Sequence, residues 1–440
     1  MVRDARPTRW ARWLVPAAVV AVGIAGCSSA HNVSATRGSG VGTHHASGSD
    51  GAAGTSATPH VAAKVLPATV STVPAAGAKK VDPTQRITVS VAHGTLRSVK
   101  VTNPAGKTVT GAAAGSAGWR SNEDLGYGRT YTVVATGVGA DGAAVTKRSS
   151  FTTVDPDNTV DANINRIGGY ALTNGATYGV AIVPIVHFDS PITGKAARAA
   201  VVKTLSVTTT PHVAGAWAWY GTQDVHYRPQ SYWPSGTRVT VAAKIYGKDL
   251  GHGVYGASDE SASFTIGRKQ ITIAHDNAPK AVNKVRVYRE DKLVRTMNTS
   301  MGMHSGTYSG GHYIDFHTMN GSYTVLQHDD PAIMSSASYG LAATDPGGYA
   351  PEKIYYATKI STDGIYLHYL DTEPAQNSGV DVSHGCLNLN HPNAVWFYNH
   401  SLIGDPVQIS GTHGPTIDVA QGGDWSVSWK QWTSGSITQS

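Results

Sequence analysis

Cysteine is almost absent from this sequence: 440 residues carry two, Cys27 and Cys386. That excludes a scaffold of several disulfides. Charge is scarce too, at 15%, against about a quarter in an average soluble protein. No long stretch of Ala, Glu, Lys, Leu and Arg exists, so coiled coils and helical repeat arrays are excluded. The longest N-terminal apolar run, Leu14 to Ala25, is about half the ~20 residues a membrane-spanning helix needs. Dense basic runs are missing as well. The formal charge is +6, but Arg3, Arg6, Arg9 and Arg12, with Asp4, lie at the start, and the remainder carries 31 basic against 28 acidic residues. That balance gives no support for a nucleic-acid partner.

What is present is turn-forming and β-forming: 49 Gly, 21 Pro and abundant Thr, Val and Ser. At about 100 to 200 residues per domain the length suggests two to four domains. Arginines followed by a short apolar run ending in Ile24-Ala25-Gly26-Cys27 read as an export signal over residues 1–27. The small residues before Cys27, with Ser28-Ser29 after it, resemble a bacterial lipobox. The resemblance implies a lipidated Cys27 and a chain anchored on the outer face of the cell membrane, facing the cell wall. Cys386 is then a lone thiol, and no intramolecular disulfide can form.

Residues 28–65, rich in Ser, Gly, Ala, Thr and His, read as a disordered tether, with a reach of roughly 30 to 40 Å. Beyond it, short alternating strands are separated by turns such as Asn103-Pro104-Ala105-Gly106. A repeat emerges: Gly128-Arg129-Thr130-Tyr131-Thr132-Val133 with Ser150-Phe151-Thr152 returns as Gly236-Thr237-Arg238-Val239-Thr240-Val241 with Ser263-Phe264-Thr265. Trp119 and Trp219 precede the two copies. An offset of about 100 residues fits one β-sandwich, so two immunoglobulin-like domains are predicted, 66–154 and 155–267. In the second, Asp249 and Gly253 are candidate calcium ligands, though a Gly-rich loop with one Asp is ordinarily a turn.

After Arg268 the spacing changes to a mostly β domain, 268–412, with strands near Ile271–Ile273, Lys284–Tyr288, Tyr323–Val325 and Ile365–Tyr369. One clear helix signal occurs, with Asn390 as N-cap, Pro392 at the first helical position, and a stop at Gly404. The tail, 413–440, holds Trp425, Trp429 and Trp432 and is expected to pack on this last domain. His304, His312, His317 and His328 lack zinc-type spacing and read as structural histidines.

Cys386 lies in Ser383-His384-Gly385-Cys386-Leu387-Asn388, with His368 ending an apolar strand upstream. Acyl transfer by a thiol needs a base and N–H donors for an oxyanion. Either His368 or His384 can be the base; local spacing leaves both open. Gly385 allows close backbone approach and leaves the neighbouring N–H groups accessible.

The order His368, then Ser383-His384-Gly385-Cys386 with Asn388, resembles the L,D-transpeptidase (YkuD-type) catalytic domain. The similarity runs from about 269 to 440, through Thr299-Ser300-Met301-Gly302, Met334-Ser335-Ser336, Ser338-Tyr339-Gly340 and Gly347-Gly348-Tyr349. With the lipobox and tandem sandwiches, the chain resembles the actinobacterial lipoprotein members of that family. The resemblance implies a cysteine acyltransferase of peptidoglycan biosynthesis, with a part in cell wall organization and cell shape. Cys386 is the implied nucleophile and His368 the base. Ser383 and His384 shape the turn, and Gly385 with Cys386 offers N–H groups to the oxyanion. Tyr349, Asp363, Gly364, Asn388, Tyr339 and Met334 are the implied contacts for a tetrapeptide stem, under a loop from about Ser335 to Pro351. Carbapenem-type β-lactams are the implied inhibitors, and no cofactor is expected. Two departures stand out. Tyr369 follows the base where relatives often have Ser, and His252 replaces a Glu in the Asp249 loop, a poor ligand for calcium. An L,D-carboxypeptidase on the same donor and a non-catalytic wall-binding lipoprotein are the alternatives. A papain-like peptidase is disfavoured, because its cysteine precedes its histidine and opens a long helix.

Overall fold

The computed structural model describes residues 66–437. The export signal, Cys27 and the tether lie outside the described residues. Among the described residues, no helix is long and apolar enough to cross a membrane.

Alternation of side chains builds the first sandwich. Along Thr130–Gly139, every second residue is buried, placing Tyr131, Val133 and Ala135 in a core with Ile87, Val101, Leu125 and Phe151. The outward threonines pair across strands, Thr130 with Thr152 and Thr136 with Thr146. Four strands ordered Thr69–Val73, Thr88–Ala92, Gly118–Ser121, Gly111–Ala113 face three ordered Gly94–Thr102, Thr130–Gly139, Ala144–Thr152. The Tyr131 hydroxyl accepts the Gly126 N–H at 2.8 Å, closing the corner that leads into its strand.

The second sandwich has a five-stranded sheet running from Tyr170–Ala171 to Gly215–Tyr220 and a four-stranded sheet from Thr177–Tyr178 to Leu205–Thr210. The sequence repeat maps onto the same hairpin in both domains. Tyr131 stands opposite Phe151 in the first, and Val239 opposite Phe264 in the second. Trp219 is buried in the second core, while Trp119 only borders the first. The domains join through tyrosines: Tyr127 donates to the Gly256 carbonyl at 2.7 Å, and Tyr246 to that of Leu125 at 2.5 Å.

In the C-terminal domain, a five-stranded sheet ordered Lys292–Thr299, Asn283–Arg289, Gln270–His275, Pro406–Ser410, Gly321–Thr324 packs with a second sheet of four. The latter runs Gln327–Asp329, Ala357–Lys359, Tyr366–Tyr369, Leu387–Leu389. Between them lie Val285, Val287, Tyr323, Leu367, Leu387 and, from the helix His391–His400, Phe397. Asn390 caps that helix through the Asn393 N–H. Pro392 sits one position later than expected, because His391 opens the helix. Three helices escaped the sequence reading: Lys195–Val202, Glu373–Ser378 and Trp429–Trp432. The last two are only 6 and 4 residues long, too short to show a 3.6-residue period.

The tail packs on the C-terminal domain through its first half, where Ile417 joins the core and Thr362 Oγ1 donates to the Ala420 carbonyl; for its second half the expectation is corrected. Ser426 Oγ does accept the Ser322 N–H at 2.8 Å, but the tryptophans beyond it lie on the second sandwich. Trp432 is fully buried among Val183, Ile185 and Ala218 and donates to the Ala216 carbonyl at 2.9 Å. Arg228 explains the attraction. Its guanidinium carbon is 4.8 Å from the Trp425 ring, 5.5 Å from Trp429 and 4.4 Å from Trp432, a cation enclosed by aromatic faces. Beside it, His226 and Asp424 form a buried pair at 2.5 Å.

Candidate functional site

Two parallel strands set the floor of the site. Their register places Leu367 beside Leu387 and His368 beside Asn388. The leucines enter the core, so alternation turns His368 and Asn388 to the other face, with Cys386 one step before Leu387 joining them. All three line a cleft of about 850 Å³.

The Ser383–Cys386 turn is held internally. Ser383 Oγ accepts the Gly385 N–H at 3.1 Å and donates to the Cys386 carbonyl at 2.6 Å. Gly385 has φ +127°, a region that side chains avoid, and its carbonyl accepts from Thr318 Oγ1 at 2.9 Å. The expectation that the Gly385 N–H serves an oxyanion is corrected: Ser383 already holds it.

The histidines separate cleanly. His368 is buried, and its Nδ1–H donates to the Tyr369 carbonyl at 3.0 Å. The backbone does the orienting, so Tyr369 in place of Ser leaves this contact intact. That tautomer leaves Nε2 as an acceptor. Burial pushes the imidazole down to about 4, so it is neutral at pH 7. His384 instead packs among rings, 4.4 Å from Phe316, 5.6 Å from Tyr349 and 6.1 Å from Tyr339.

Cys386 is partly open to the cleft, yet protein atoms surround its sulfur, and burial pushes the thiol up to about 12. The Asp363 charge adds to that rise, while the Tyr366 N–H opposes it. Sγ donates to the Gly364 carbonyl at 3.6 Å. Thiol and imidazole are therefore each neutral at rest, without a standing thiolate.

The Asp363-Gly364 turn is fixed by its neighbours. Asp363 accepts from Ser361 Oγ at 2.5 Å and from Gln421 Nε2 at 2.6 Å. Gln421 belongs to the tail, 58 residues away in sequence, a spacing that carries no sequence signal. Tyr366 and Thr318 also escaped the sequence reading, for the same reason.

Residues 335–351 rise over one side. Ser336 Oγ both accepts the Tyr349 N–H and donates to its carbonyl, each at 2.9 Å, closing the loop on itself. Tyr339 and Tyr349 line the cleft from it, and Met334 from the strand that precedes it. The Tyr339 hydroxyl and both polar side-chain atoms of Asn388 are buried without a partner, so the cleft holds unused donors and acceptors. The Asp249 loop is remote from all this. There, Asp249 Oδ1 accepts the Gly251 N–H at 2.8 Å, closing its own turn, and His252 takes a left-handed φ of 54°.

Residues 78–249 match the family described as a bacterial Ig domain, and residues 277–409 match the L,D-transpeptidase catalytic domain. Among curated proteins, L,D-transpeptidase 2 of Mycobacterium tuberculosis is 36% identical over 79% of this chain and 80% of its own length. L,D-transpeptidase 5 of the same organism is 35% identical over 82% of this chain and 75% of its own. A crystal structure of L,D-transpeptidase 3 from that organism, carrying a faropenem-derived adduct, is 29% identical over 54% of this chain and 95% of its own, with a TM-score of 0.42. At that identity and coverage, and with the catalytic domain matched in sequence, the chain belongs to the L,D-transpeptidase family.

Proposed function

We propose that this chain is a lipid-anchored peptidoglycan L,D-transpeptidase acting through Cys386. The observation that carries the reading is the joint placement of Cys386, His368 and Asn388 on one face of two adjacent strands, opening to the cleft. A tetrapeptide stem enters with the carbonyl of its third, diaminopimelate-type residue over Sγ. Sγ bonds to that carbon while the thiol proton passes to His368 Nε2. The tetrahedral intermediate collapses, the peptide bond to the terminal D-Ala breaks, and the proton goes to the leaving amine. A thioester remains. The side-chain amine of a neighbouring stem's third residue then attacks it, returning a proton through His368 to sulfur.

A neutral starting pair suits this sequence, because charge develops only once substrate has displaced water from a low-polarity site. With the Gly385 N–H engaged, the Cys386 N–H is the backbone donor on the nucleophile itself that serves the oxyanion. The free hydroxyl of Tyr339 and the amide of Asn388 supply polar contacts to the stem. The loop 335–351 excludes water, which otherwise competes with the amine. Cys27 carries the lipid, holding the enzyme on the outer face of the membrane. Carbapenem-type β-lactams acylate the same thiol.

The test is intact mass spectrometry of the protein and of Cys386→Ala with a disaccharide-tetrapeptide. The expected result is an adduct lacking D-Ala and a cross-linked dimer, both absent from Cys386→Ala. D-Ala release with only hydrolysed stem overturns transfer in favour of the carboxypeptidase. No adduct from folded protein leaves a wall-binding lipoprotein.

A further inference from the structure

Beside the segment that leads into the Ser383–Cys386 turn, three side chains from distant segments converge. Asp276 follows the strand Gln270–His275, His304 follows the strand Lys292–Thr299, and Asp381 precedes Ser383. Each offers one ligand atom, and the three atoms lie within 4.8 Å of one another. His304 Nε2 is 2.6 Å from Asp276 Oδ2 and 3.5 Å from Asp381 Oδ2. Both carboxylates are buried, with side-chain exposure of 1% and 4%. Among the described residues, this is the one such convergence.

We propose that Asp276, His304 and Asp381 form a binding site for a borderline divalent transition-metal cation, with zinc the best match. Four observations carry it. First, Asp381 Oδ2 is buried and makes no hydrogen bond; beyond its 3.5 Å contact with His304 Nε2 it is uncompensated, which is costly for an anionic oxygen inside a protein. Second, the other carboxylate oxygens are anchored, as metal ligands are by an outer shell. Asp276 Oδ1 accepts the Ala278 N–H at 2.9 Å, and Asp381 Oδ1 accepts from Asn283 Nδ2 at 2.9 Å and the Met301 N–H at 2.6 Å. Third, ligands about 2.1 Å from a tetrahedral zinc stand roughly 3.4 Å apart; His304 and Asp381 already stand at 3.5 Å, and the 2.6 Å contact of His304 with Asp276 has to open to admit the ion. Fourth, the His304 imidazole keeps a quarter of its side chain exposed, giving a cation a way in. One nitrogen with two oxygens favours zinc over the all-oxygen sets that calcium takes.

The consequence is mechanical. The Ser383 N–H donates to the Met301 carbonyl and the Met303 N–H to the Ser383 carbonyl. A cation joining Asp381 to Asp276 and His304 therefore clamps the segment carrying Cys386 to the core sheet.

The test uses the full-length protein, stripped with chelator and then titrated with zinc, cobalt and calcium, with bound metal read by elemental mass spectrometry and cobalt by its visible absorption. The expected result is one zinc in the wild type and in Cys386→Ala, with affinity at least about tenfold weaker in His304→Ala and Asp381→Asn. If Asp381→Asn fails to fold, His304→Ala, altering a partly exposed ring, decides alone. Zinc uptake equal in wild type and His304→Ala overturns the site, leaving a histidine set between two carboxylates. Loss in Cys386→Ala alone overturns it by placing the metal on the thiol, and calcium bound more tightly than zinc overturns the class.

Discussion

The Cys386 thiol should behave as an unusually poor nucleophile toward small reagents. A free cysteine with pKa ~8.5 is about one-tenth ionised at about pH 7.5. A thiol pushed up to about 12 carries roughly three thousand times less thiolate there. The more basic thiolate is intrinsically faster, by about 30-fold for a Brønsted slope of about 0.4 to 0.5. The net expectation is alkylation by iodoacetamide about 100-fold slower than that of a free cysteine. The rate should climb nearly tenfold per pH unit up to about pH 10, without a plateau. Mass-resolved alkylation kinetics across pH measure this directly. His368 is neutral and low in pKa, so His368→Ala should change the alkylation rate less than about threefold while abolishing acylation by a tetrapeptide or a carbapenem. A plateau between about pH 6 and 9, or a large drop in alkylation in His368→Ala, refutes the neutral pair and establishes a standing thiolate–imidazolium pair.

His368 also makes a stability prediction. Its folded pKa of about 4 lies below the ordinary 6.5, so between those values the unfolded chain binds more protons, and stability falls as pH drops. The wild type should lose up to about 3 kcal/mol on acidification from pH 6.5 to 4, and His368→Gln should lose correspondingly less in denaturant titrations. Ser383→Ala removes an acceptor and a donor from the Gly385–Cys386 turn; a cost of about 1 to 3 kcal/mol is expected, with acylation slowed more than substrate binding, read by stopped-flow. Gly385→Ala meets only ordinary contacts, 3.7 Å and beyond, so its penalty is the φ of +127°, about 1 to 3 kcal/mol. The measurement is thermal unfolding beside β-lactam acylation. Trp432→Ala empties a fully buried site against the second sandwich, for an expected loss of about 3 to 5 kcal/mol and faster proteolysis of the tail.

Much of the architecture was legible because β-structure leaves a short-range record. Alternation at Thr130–Gly139 and the returning Gly128 and Gly236 motifs identify equivalent hairpins before any pairing is known. The two short helices left none, since their lengths give no period and tertiary contacts select them. The Asn390 cap was readable, being a contact between residues three apart.

For the site, the sequence alone determined the chemistry available: one thiol in the described chain, a histidine upstream, and a glycine where only glycine tolerates the backbone. Where each histidine sits was decided by the tertiary structure: strand register puts His368 beside Asn388, while His384 packs against Phe316, Tyr339 and Tyr349. The engagement of the Gly385 N–H, the hold of Gln421 on Asp363, and the meeting of Asp276, His304 and Asp381 also belong to the tertiary structure. Each joins groups whose interaction depends on distance in space, and a linear sequence records composition and local period but not which distant segments come to lie side by side.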